Sequence, residues 1–364
     1  MIEPVTSYLD ILNTPTGEAG TVMAYPPPER REIPLHGIME FPKVALMDRR
    51  NQKPGERAMM EAVYRTWKEI KLPYHKPSAI FLEDFFQSVL SEYRRVARPG
   101  ISPAVIMCHP SGFSTAEIRQ FQDAIKDAKI NQRACKRHSK TDFTEGEAVI
   151  YTALKDHSEV LKNAHRNNEA IIVADYGGIT DEIAIFHFDH SLGGSSTLPG
   201  RIKKKKSTWT GAQATIHAFQ MELLKEAQLD AGRTDQQFPT DIQDDLHKAV
   251  RRWAAEDLPN YRRIDFEDLG FECTLGGEST VLRAQTIEAL LKSSAEIKAM
   301  ELFDLIEAPD QATPPPTYLM LCGGFSKCKL LYDRVIGLLA DKLRTRRPPI
   351  QMPHVLEFPA GQDP

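Results

Sequence analysis

The sequence predicts a two-lobed protein of the α/β class. Short apolar or β-branched runs of strand length alternate with longer segments whose apolar residues recur every three or four positions. Some short runs are continuously apolar, which is typical of central strands covered on both faces. Strands of this kind between helices indicate helices packed on a sheet. The 364 residues are enough for two domains or one large bilobal unit.

The composition excludes several classes of protein. Hydrophobic residues make up 41% and charged residues 26%, which is ordinary for a globular chain and argues against a long disordered tail. The 46 basic and 50 acidic residues give a net charge of −4, so we expect no general binding to nucleic acid or membrane surfaces. The five cysteines form no C-x-x-C pair, and neither a signal peptide nor a membrane span is evident. We therefore expect a cytoplasmic protein with reduced thiols.

The first third of the chain gives a few clear elements. Residues 1–32 are polar and interrupted by proline, so we expect a loop-like segment there. Runs at 33–41 and 43–47 predict strands, 78–97 predict a helix, and AVIMCHP at 104–110 predicts a buried strand. Ser114 and Glu117 have the spacing of a capping box, in which each side chain binds the other residue's backbone N–H. A helix should therefore begin there and run to residue 129.

The rest of the chain repeats the pattern of strands and helices. Residues 170–188 predict two strands around a glycine-rich turn, and 317–343 predict a strand, a Gly-Gly turn and a helix. The intervening lysine-rich segment 193–211 is expected to be a loop. Helices are expected over 145–163, 240–256 and 281–307, with one more directly after the lysine-rich loop.

Two glycine turns are the strongest candidates for a functional site. In DYGGIT, Asp175–Thr180, an acidic residue that could hold a metal-bound water ends a buried strand, and the turn's N–H groups could bind an anion. An ordinary hairpin also has such a turn, and this turn alone favours the hairpin. Gly323-Gly324 could place a nucleotide at a helix N-terminus, or could serve tight packing only.

Two other clusters favour ordinary structural interpretations. The basic run Arg201–Lys206 could be a localisation signal or a phosphate patch, but such runs are usually solvated. His187 and Asp189 share one face of a predicted strand and could bind a metal, but no third ligand is evident.

Taken together, the two turns resemble the nucleotide-binding domain of the seventy-kilodalton heat-shock protein family, the DnaK type of the actin-like ATPase superfamily. IIVADYGGITDEIAIF resembles its second phosphate motif, D-x-G-G-G-T-x-D after an apolar strand, and YLMLCGGFSKCKLL resembles its adenosine motif. The segment around AVIMCHPSGF, the run Thr144–Ala148 and Gly211-Ala212 resemble three further family segments, in the family's order. The resemblance covers residues 33–360 and is closest to the divergent, chaperone-unlike branch, which often carries G-G-F-S.

The resemblance implies a fold, a ligand and site residues. It implies two ribonuclease-H-like lobes, lobe I at 33–166 and lobe II at 167–346, with ATP or ADP and Mg²⁺ between them, and a closing segment at 347–364. It assigns phosphate contacts to Gly177, Gly178 and Thr180, and adenosine contacts to Gly323, Gly324, Phe325 and Lys327. Asp175 would act through the water shell of the metal, and Glu145 would help to orient the attacking water, since hydrolysis is mostly positioning and charge neutralisation.

The departures from the family pattern predict lost activity. Ile179 replaces the third glycine, Glu182 replaces an aspartate, and Gly146 replaces the proline of the connecting helix. The first phosphate loop, D-x-G-T-[TS], is not found, so we expect no opening hairpin upstream of Ile33 and an incomplete first lobe. The family's A-V-x-x-G-A helix and a peptide-binding chaperone domain are not found either. We expect a truncated or decayed member that binds ATP weakly with impaired or no hydrolysis, or else a non-catalytic interaction scaffold.

Overall fold

The computed structural model describes just over half of the 364 residues, and their architecture is mixed α/β, as predicted. The described residues are 8–13, 19–22, 38–40, 46, 78–79, 82–83, 106–128, 140–188, 200–230, 246, 249–250, 252–254, 258, 270–275, 278–307 and 316–356. Most of the helices predicted over 78–97 and 240–256 therefore lies outside the described residues. The chain divides into two compact units, one containing 1–109 and 113–144, the other 110–112 and 145–364.

The first unit contains two small sheets and one long helix in its described part. β1 (Tyr8–Asn13), β2 (Ala19–Val22) and β3 (Ile38–Glu40) form an antiparallel sheet in the order β2-β1-β3. β4 (Ile106–His109) and β5 (Lys140–Thr144) form a parallel pair, and α1 spans Thr115–Asp127.

The N-terminal hairpin corrects the expectation for residues 1–32. β1 and β2 lie within the segment predicted to be a loop, and a hairpin therefore does precede Ile33. The prolines that suggested a loop, Pro4, Pro15 and the run at 26–28, all lie outside the two strands.

The start of α1 confirms the predicted capping box. The Glu117 N–H donates to Ser114 Oγ at 3.3 Å, and the Ser114 N–H donates to Glu117 Oε2 at 2.6 Å. The buried face of the helix carries Phe121, Ile125 and, just after its end, Ala128. The spacing of these side chains is the helical pattern that the sequence shows.

A five-stranded mixed sheet forms the centre of the second unit. Its order is β12-β11-β6-β7-β8, with β6 at Ala170–Tyr176, β7 at Asp181–Phe188, β8 at Gly200–Thr208, β11 at Pro316–Cys322 and β12 at His354–Leu356. β6, β7 and β8 form an antiparallel meander, whereas β11 runs parallel to β6 and β12 parallel to β11. β11 therefore joins the sheet beside β6, on the side away from β7, and β12 follows it.

Helices cover both faces of this sheet. α2 (Glu145–Asp156) and α3 (Ser158–Arg166) pack on the face that carries Ile171, Val173 and Phe186. α4 (Ala212–Asp230), α5 (Ala284–Glu307) and α6 (Lys329–Thr345) pack on the opposite face, over side chains such as Ile172 and Ile185. A further hairpin, β9 (Phe271–Leu275) and β10 (Glu278–Leu282), lies beside α4. Strands buried on both faces explain the continuous apolar run of β6.

The lysine-rich segment is a strand, so the prediction of a loop over 193–211 is wrong for residues 200–208. β8 pairs with β7 along its whole length, from Asp181 opposite Thr208 to Phe188 opposite Gly200. It is the last strand of the sheet in the described part of the chain. Lys205 is exposed, and Lys206 Nζ lies 3.6 Å from Asp304 Oδ2. Lysines on an edge strand discourage pairing with other chains. Because lysine has a low strand propensity, the sequence pattern did not predict a strand here.

Among the described residues, no helix is long and apolar enough to cross a membrane.

Candidate functional site

The two glycine turns lie side by side at one edge of the central sheet. β6 and β11 are parallel neighbours with Asp175 opposite Cys322, so the turns that follow them leave the sheet at the same edge. Gly323 has a φ of +85°, and a Cβ built there would lie 2.2 Å from Asp175 Oδ1 and 2.5 Å from the Tyr176 carbonyl oxygen. The backbone of the second turn therefore packs directly against the end of the first strand, which only glycine permits.

The first turn is held by the start of α4. Its own closing hydrogen bond runs from the Gly177 N–H to the Thr180 carbonyl at 3.1 Å. Its carbonyl groups at residues 177, 178 and 179 accept from the N–H groups of Ala212, Gln213 and Gly211, at 3.0, 2.7 and 3.1 Å. The N-terminal N–H groups of α4 are thus bound to this turn, and helix N–H groups so occupied cannot also bind an anion.

Of the residues assigned to phosphate, Gly178 has the most open surroundings. It is exposed, and a Cβ there would meet nothing within 4 Å. Gly177 is half-buried, and a Cβ there would lie 2.7 Å from the Thr180 carbonyl oxygen. Thr180 itself is buried, so a ligand at this turn would meet Gly178 first.

The second turn opens with a single 3₁₀ turn at Gly324–Lys327. Ser326 closes it, because both its N–H and its Oγ donate to the Gly323 carbonyl, at 3.1 and 2.7 Å. Gly324 and Lys327 are exposed, and a Cβ at Gly324 would meet nothing within 4 Å. Phe325 differs from the role that the resemblance implies, because its side chain is buried in the core rather than open to an adenosine.

Asp175 and Glu182 stand opposite each other on β6 and β7, and so share one face of the sheet. Asp175 is half-buried, whereas Glu182 is buried and accepts from the Gly112 N–H at 3.2 Å and from Ser207 Oγ at 2.7 Å. A Cβ on Gly112 would lie 2.1 Å from Ser207 Cβ. The longer glutamate therefore fastens the Pro110–Gly112 turn to the sheet, a structural role that the sequence did not suggest.

Glu145 begins α2 close to that turn. It is half-buried, and the next residue, Gly146, would place a Cβ 3.6 Å from Ala184 Cβ and 3.7 Å from Ser111 Oγ. Ser111 Oγ is buried without a hydrogen-bond partner in the described part of the chain. A Cβ at Gly146 would make only ordinary van der Waals contacts, so α2 begins close to the sheet and to the Pro110–Gly112 turn without requiring glycine at this position.

A buried ionic cluster lies on the opposite face, beneath both turns. Lys298 of α5 and Asp181 of β7 are fully buried and form an ion pair through Asp181 Oδ2. Lys298 Nζ also donates to the Thr210 carbonyl at 2.9 Å, and Thr210 Oγ1 donates to Asp181 Oδ2 at 2.7 Å. Glu301, one turn further along α5, places Oε2 3.5 Å from Thr210 Oγ1.

Burial controls the ionisation of this cluster. It raises the pKa of Asp181, although Lys298 acts to lower it. Burial likewise lowers the pKa of Lys298, against the attraction of Asp181. The pKa of Glu301 is raised first by burial and then by the neighbouring Asp181 charge. Desolvation therefore outweighs the attraction between opposite charges for each group, as it does for many buried ion pairs.

The sequence did contain a sign of this cluster. The buried residues of α5 include Ile287, Leu291, Leu302 and Leu305, and Lys298 falls on the same stripe. A lysine on the apolar stripe of a helix implies a buried acidic partner.

The described residues beside the two turns include one carboxylate, Asp175, that a hydrated metal ion could contact through water. In the described ranges, no group of three or more His, Cys, Asp or Glu side chains could hold a metal. Both Glu182 oxygens accept hydrogen bonds, from the Gly112 N–H and from Ser207 Oγ, and Asp175 lies beside the second turn. Mg²⁺ keeps several of its waters in proteins, so it can contact one carboxylate through water.

The second metal candidate of the sequence is the pair His187 and Asp189. His187 is buried within β7, and Asp189 lies outside the described residues.

No protein-family model matches the chain, and no curated protein matches it either.

Proposed function

We propose that the chain binds an adenine nucleotide, ATP or ADP, with Mg²⁺ at the edge of the second unit where the two glycine turns meet. The observation that carries the proposal is the pairing of β6 with β11, which brings together turns separated by more than a hundred residues of sequence. In open α/β sheets, ligands bind outside the carboxyl ends of the strands, and both turns leave the sheet there.

The topology of the second unit supports an actin-like fold of the DnaK type. A three-stranded antiparallel meander, extended by parallel strands beside its first strand, is the form expected of a ribonuclease-H-like lobe. Helices cover both faces of the sheet, as such a lobe requires. The adenosine-like turn and the phosphate-like turn fall on the two strands that this topology makes adjacent.

The proposed roles follow from the exposure of the residues at the two turns and from the resemblance of their motifs. Gly178 and Gly324 offer unobstructed backbone to a phosphate and to a nucleoside, and the exposed Lys327 can reach a ligand at the second turn. Asp175 would hold the water shell of Mg²⁺, which when bound neutralises phosphate charge. Glu145 would orient a water for hydrolysis.

Weak binding and slow or absent hydrolysis are the expected consequences of three features. Ile179 brings a side chain to a position where the family has glycine, and the N–H groups at the start of α4 are already bound to the first turn. Phe325 is buried and leaves contact with a nucleoside to its backbone. Each lost charge-assisted contact weakens binding by about 1.5–3 kcal/mol, so two such losses reduce the affinity roughly a hundredfold or more.

The same features favour a second candidate, a non-catalytic interaction scaffold. A turn whose carbonyls are bound by the chain's own helix is stable without a ligand. Such a protein would keep the fold of an actin-like ATPase and use its surface to bind another protein.

Calorimetric titration with MgATP and MgADP, repeated without Mg²⁺, separates the two candidates. We expect a dissociation constant above about 1 μM, and a still higher one without Mg²⁺. Gly323→Ala should abolish it, since the added methyl displaces Asp175. Gly337→Ala, on an exposed position of α6 with nothing within 4 Å, is the matched control and should bind as wild type. A folded wild-type protein that gives no binding heat with either nucleotide would favour the scaffold.

A further inference from the structure

One buried ammonium group contacts residues at both glycine turns and just before α4. Lys298 Nζ binds Asp181 and the Thr210 carbonyl, and lies 4.6 Å from the centroid of the Tyr176 ring and 5.1 Å from that of the Phe325 ring. Each of these four residues is next in sequence to a residue of the two turns or of the helix start that holds them: Tyr176 to Gly177, Asp181 to Thr180, Thr210 to Gly211 and Phe325 to Gly324.

Through these contacts, the single charge of Lys298 binds residues at both turns. Tyr176 and Asp181 are the residues before and after the first turn, so Lys298 binds its two ends. The Phe325 ring brings the second turn to the same ammonium, because a cation is attracted to the faces of aromatic rings. Thr210 precedes the three residues, Gly211 and the first two of α4, whose N–H groups bind the first turn's carbonyls.

Stability alone is a poor explanation for this arrangement. An ion pair that is fully buried often contributes no more than an apolar pair of similar volume, because both charges lose their hydration. Lys298 and Asp181 are both fully buried, on the face of the sheet that carries the larger apolar core. A buried charge with directional partners does, however, favour one arrangement of its neighbours over others.

We propose that Lys298 is a positioning residue that fixes the first glycine turn relative to the second, and thereby makes the edge of the sheet competent to bind a ligand. The inference deepens the proposed nucleotide function, and its effect on affinity rests on that function. The predicted effect of Lys298 on the positions of the two turns is independent of the nucleotide function.

Hydrogen exchange of the nucleotide-free protein tests the positioning directly. Lys298→Met leaves Asp181 unpaired in the core, so the decisive variant is Asp181→Leu/Lys298→Met, which removes both charges and is expected to fold. We expect peptides covering residues 177–180 and 323–327 to exchange roughly threefold to tenfold faster than in wild type, the range that one lost hydrogen bond gives. Peptides from the middle of β7 should be unchanged. Lys292→Met, the same change on the exposed face of α5, is the matched control.

The outcomes separate this inference from the nucleotide proposal. If the double variant is folded and either turn exchanges as in wild type, Lys298 does not couple the turns and the inference is overturned. If both turns loosen, the inference stands whether or not the protein binds nucleotide. Where wild type binds MgATP, the double variant should also bind it at least about tenfold more weakly while Lys292→Met binds normally, a change equivalent to about 1.4 kcal/mol. Unchanged affinity in the double variant would contradict the second half of the proposal.

Discussion

Gly323 is the residue at which the two turns constrain each other most strongly. Its φ is +85°, and a Cβ at this position would lie only 2.2 Å from Asp175 Oδ1, so both its conformation and its surroundings exclude a side chain. We predict that Gly323→Ala destabilises the protein by about 1–3 kcal/mol, the cost of a residue held in a sparsely populated conformation. The next residue, Gly324, has open space around it, so Gly324→Ala should stay within about 0.5 kcal/mol of wild type. Urea denaturation measures both, and equal losses would contradict the prediction.

Glu301 gives the site a predictable dependence on pH. Burial, and then the Asp181 charge, raise the pKa of Glu301 above its ordinary value of 4.5 in the folded state. The folded protein therefore binds the proton more tightly than the unfolded chain, and stability falls as the pH rises from 4.5 through the folded-state pKa. Below pH 4.5 both states are protonated and this contribution is fully present.

We predict that Glu301→Gln is more stable than wild type at neutral pH and about equal to it at the acid end of this range. Glutamine resembles the protonated carboxyl at every pH, so the variant does not lose stability as the pH rises. Thermal denaturation between pH 4 and pH 8 provides the measurement, with Glu296→Gln on the exposed face of α5 as the control. A variant that is less stable than wild type throughout would show that the Glu301 charge is needed by Lys298.

At the scale of single residues, the sequence indicates candidate residues at the two turns but not the buried residues beneath them. The glycines, Asp175 and Glu145 are candidates because their spacing resembles a known motif. Lys298 was missed because it belongs to no motif, although it interrupts the apolar stripe of α5. The burial of Phe325 could not be predicted, since an aromatic residue in a turn can point either into the core or toward a ligand.

Among the elements, α1 owes its exact starting point to two reciprocal hydrogen bonds. We predict that Ser114→Ala costs about 1 kcal/mol, because the Glu117 N–H loses its acceptor. Ser114→Asp should retain most of this stability, since a carboxylate also caps a helix. Thr115→Ala, an exposed neighbour outside the capping box, should have little effect. Thermal denaturation would test the series, and a loss in Thr115→Ala equal to that in Ser114→Ala would contradict the prediction.

The elements that the sequence predicted correctly are those whose own pattern determines them. β6 is continuously apolar, and α1 and α5 have apolar residues at helical spacing, so each is recognisable without its neighbours. β8 is different, because four lysines form a strand only when a partner such as β7 supplies its hydrogen bonds. β1 and β2 depend on each other in the same way. Strands that depend on pairing are the elements least visible in a single sequence.

For the molecule as a whole, three buried cysteines report on the cooperativity of the second unit. Cys273 and Cys328 belong to the core on one face of the sheet, and Cys322 belongs to the core on the other. Burial raises the pKa of the Cys273 thiol to about 11 and also raises that of Cys328. Since the thiolate is the reactive form, neither should react with a thiol reagent near pH 8 while the unit is folded.

We predict that these three cysteines become alkylated at one common rate, the rate at which the second unit opens. The two cores share a single sheet, and removing either layer of helices would expose strands that are buried on both faces. Pulsed alkylation followed by mass spectrometry measures each site separately, and the half-buried Cys108 of the first unit gives an independent rate. Increasing urea should accelerate the three rates in parallel. If Cys273 reacts well before the other two, the β9–β10 hairpin opens on its own and the cooperative unit is confined to the five-stranded sheet and its helices.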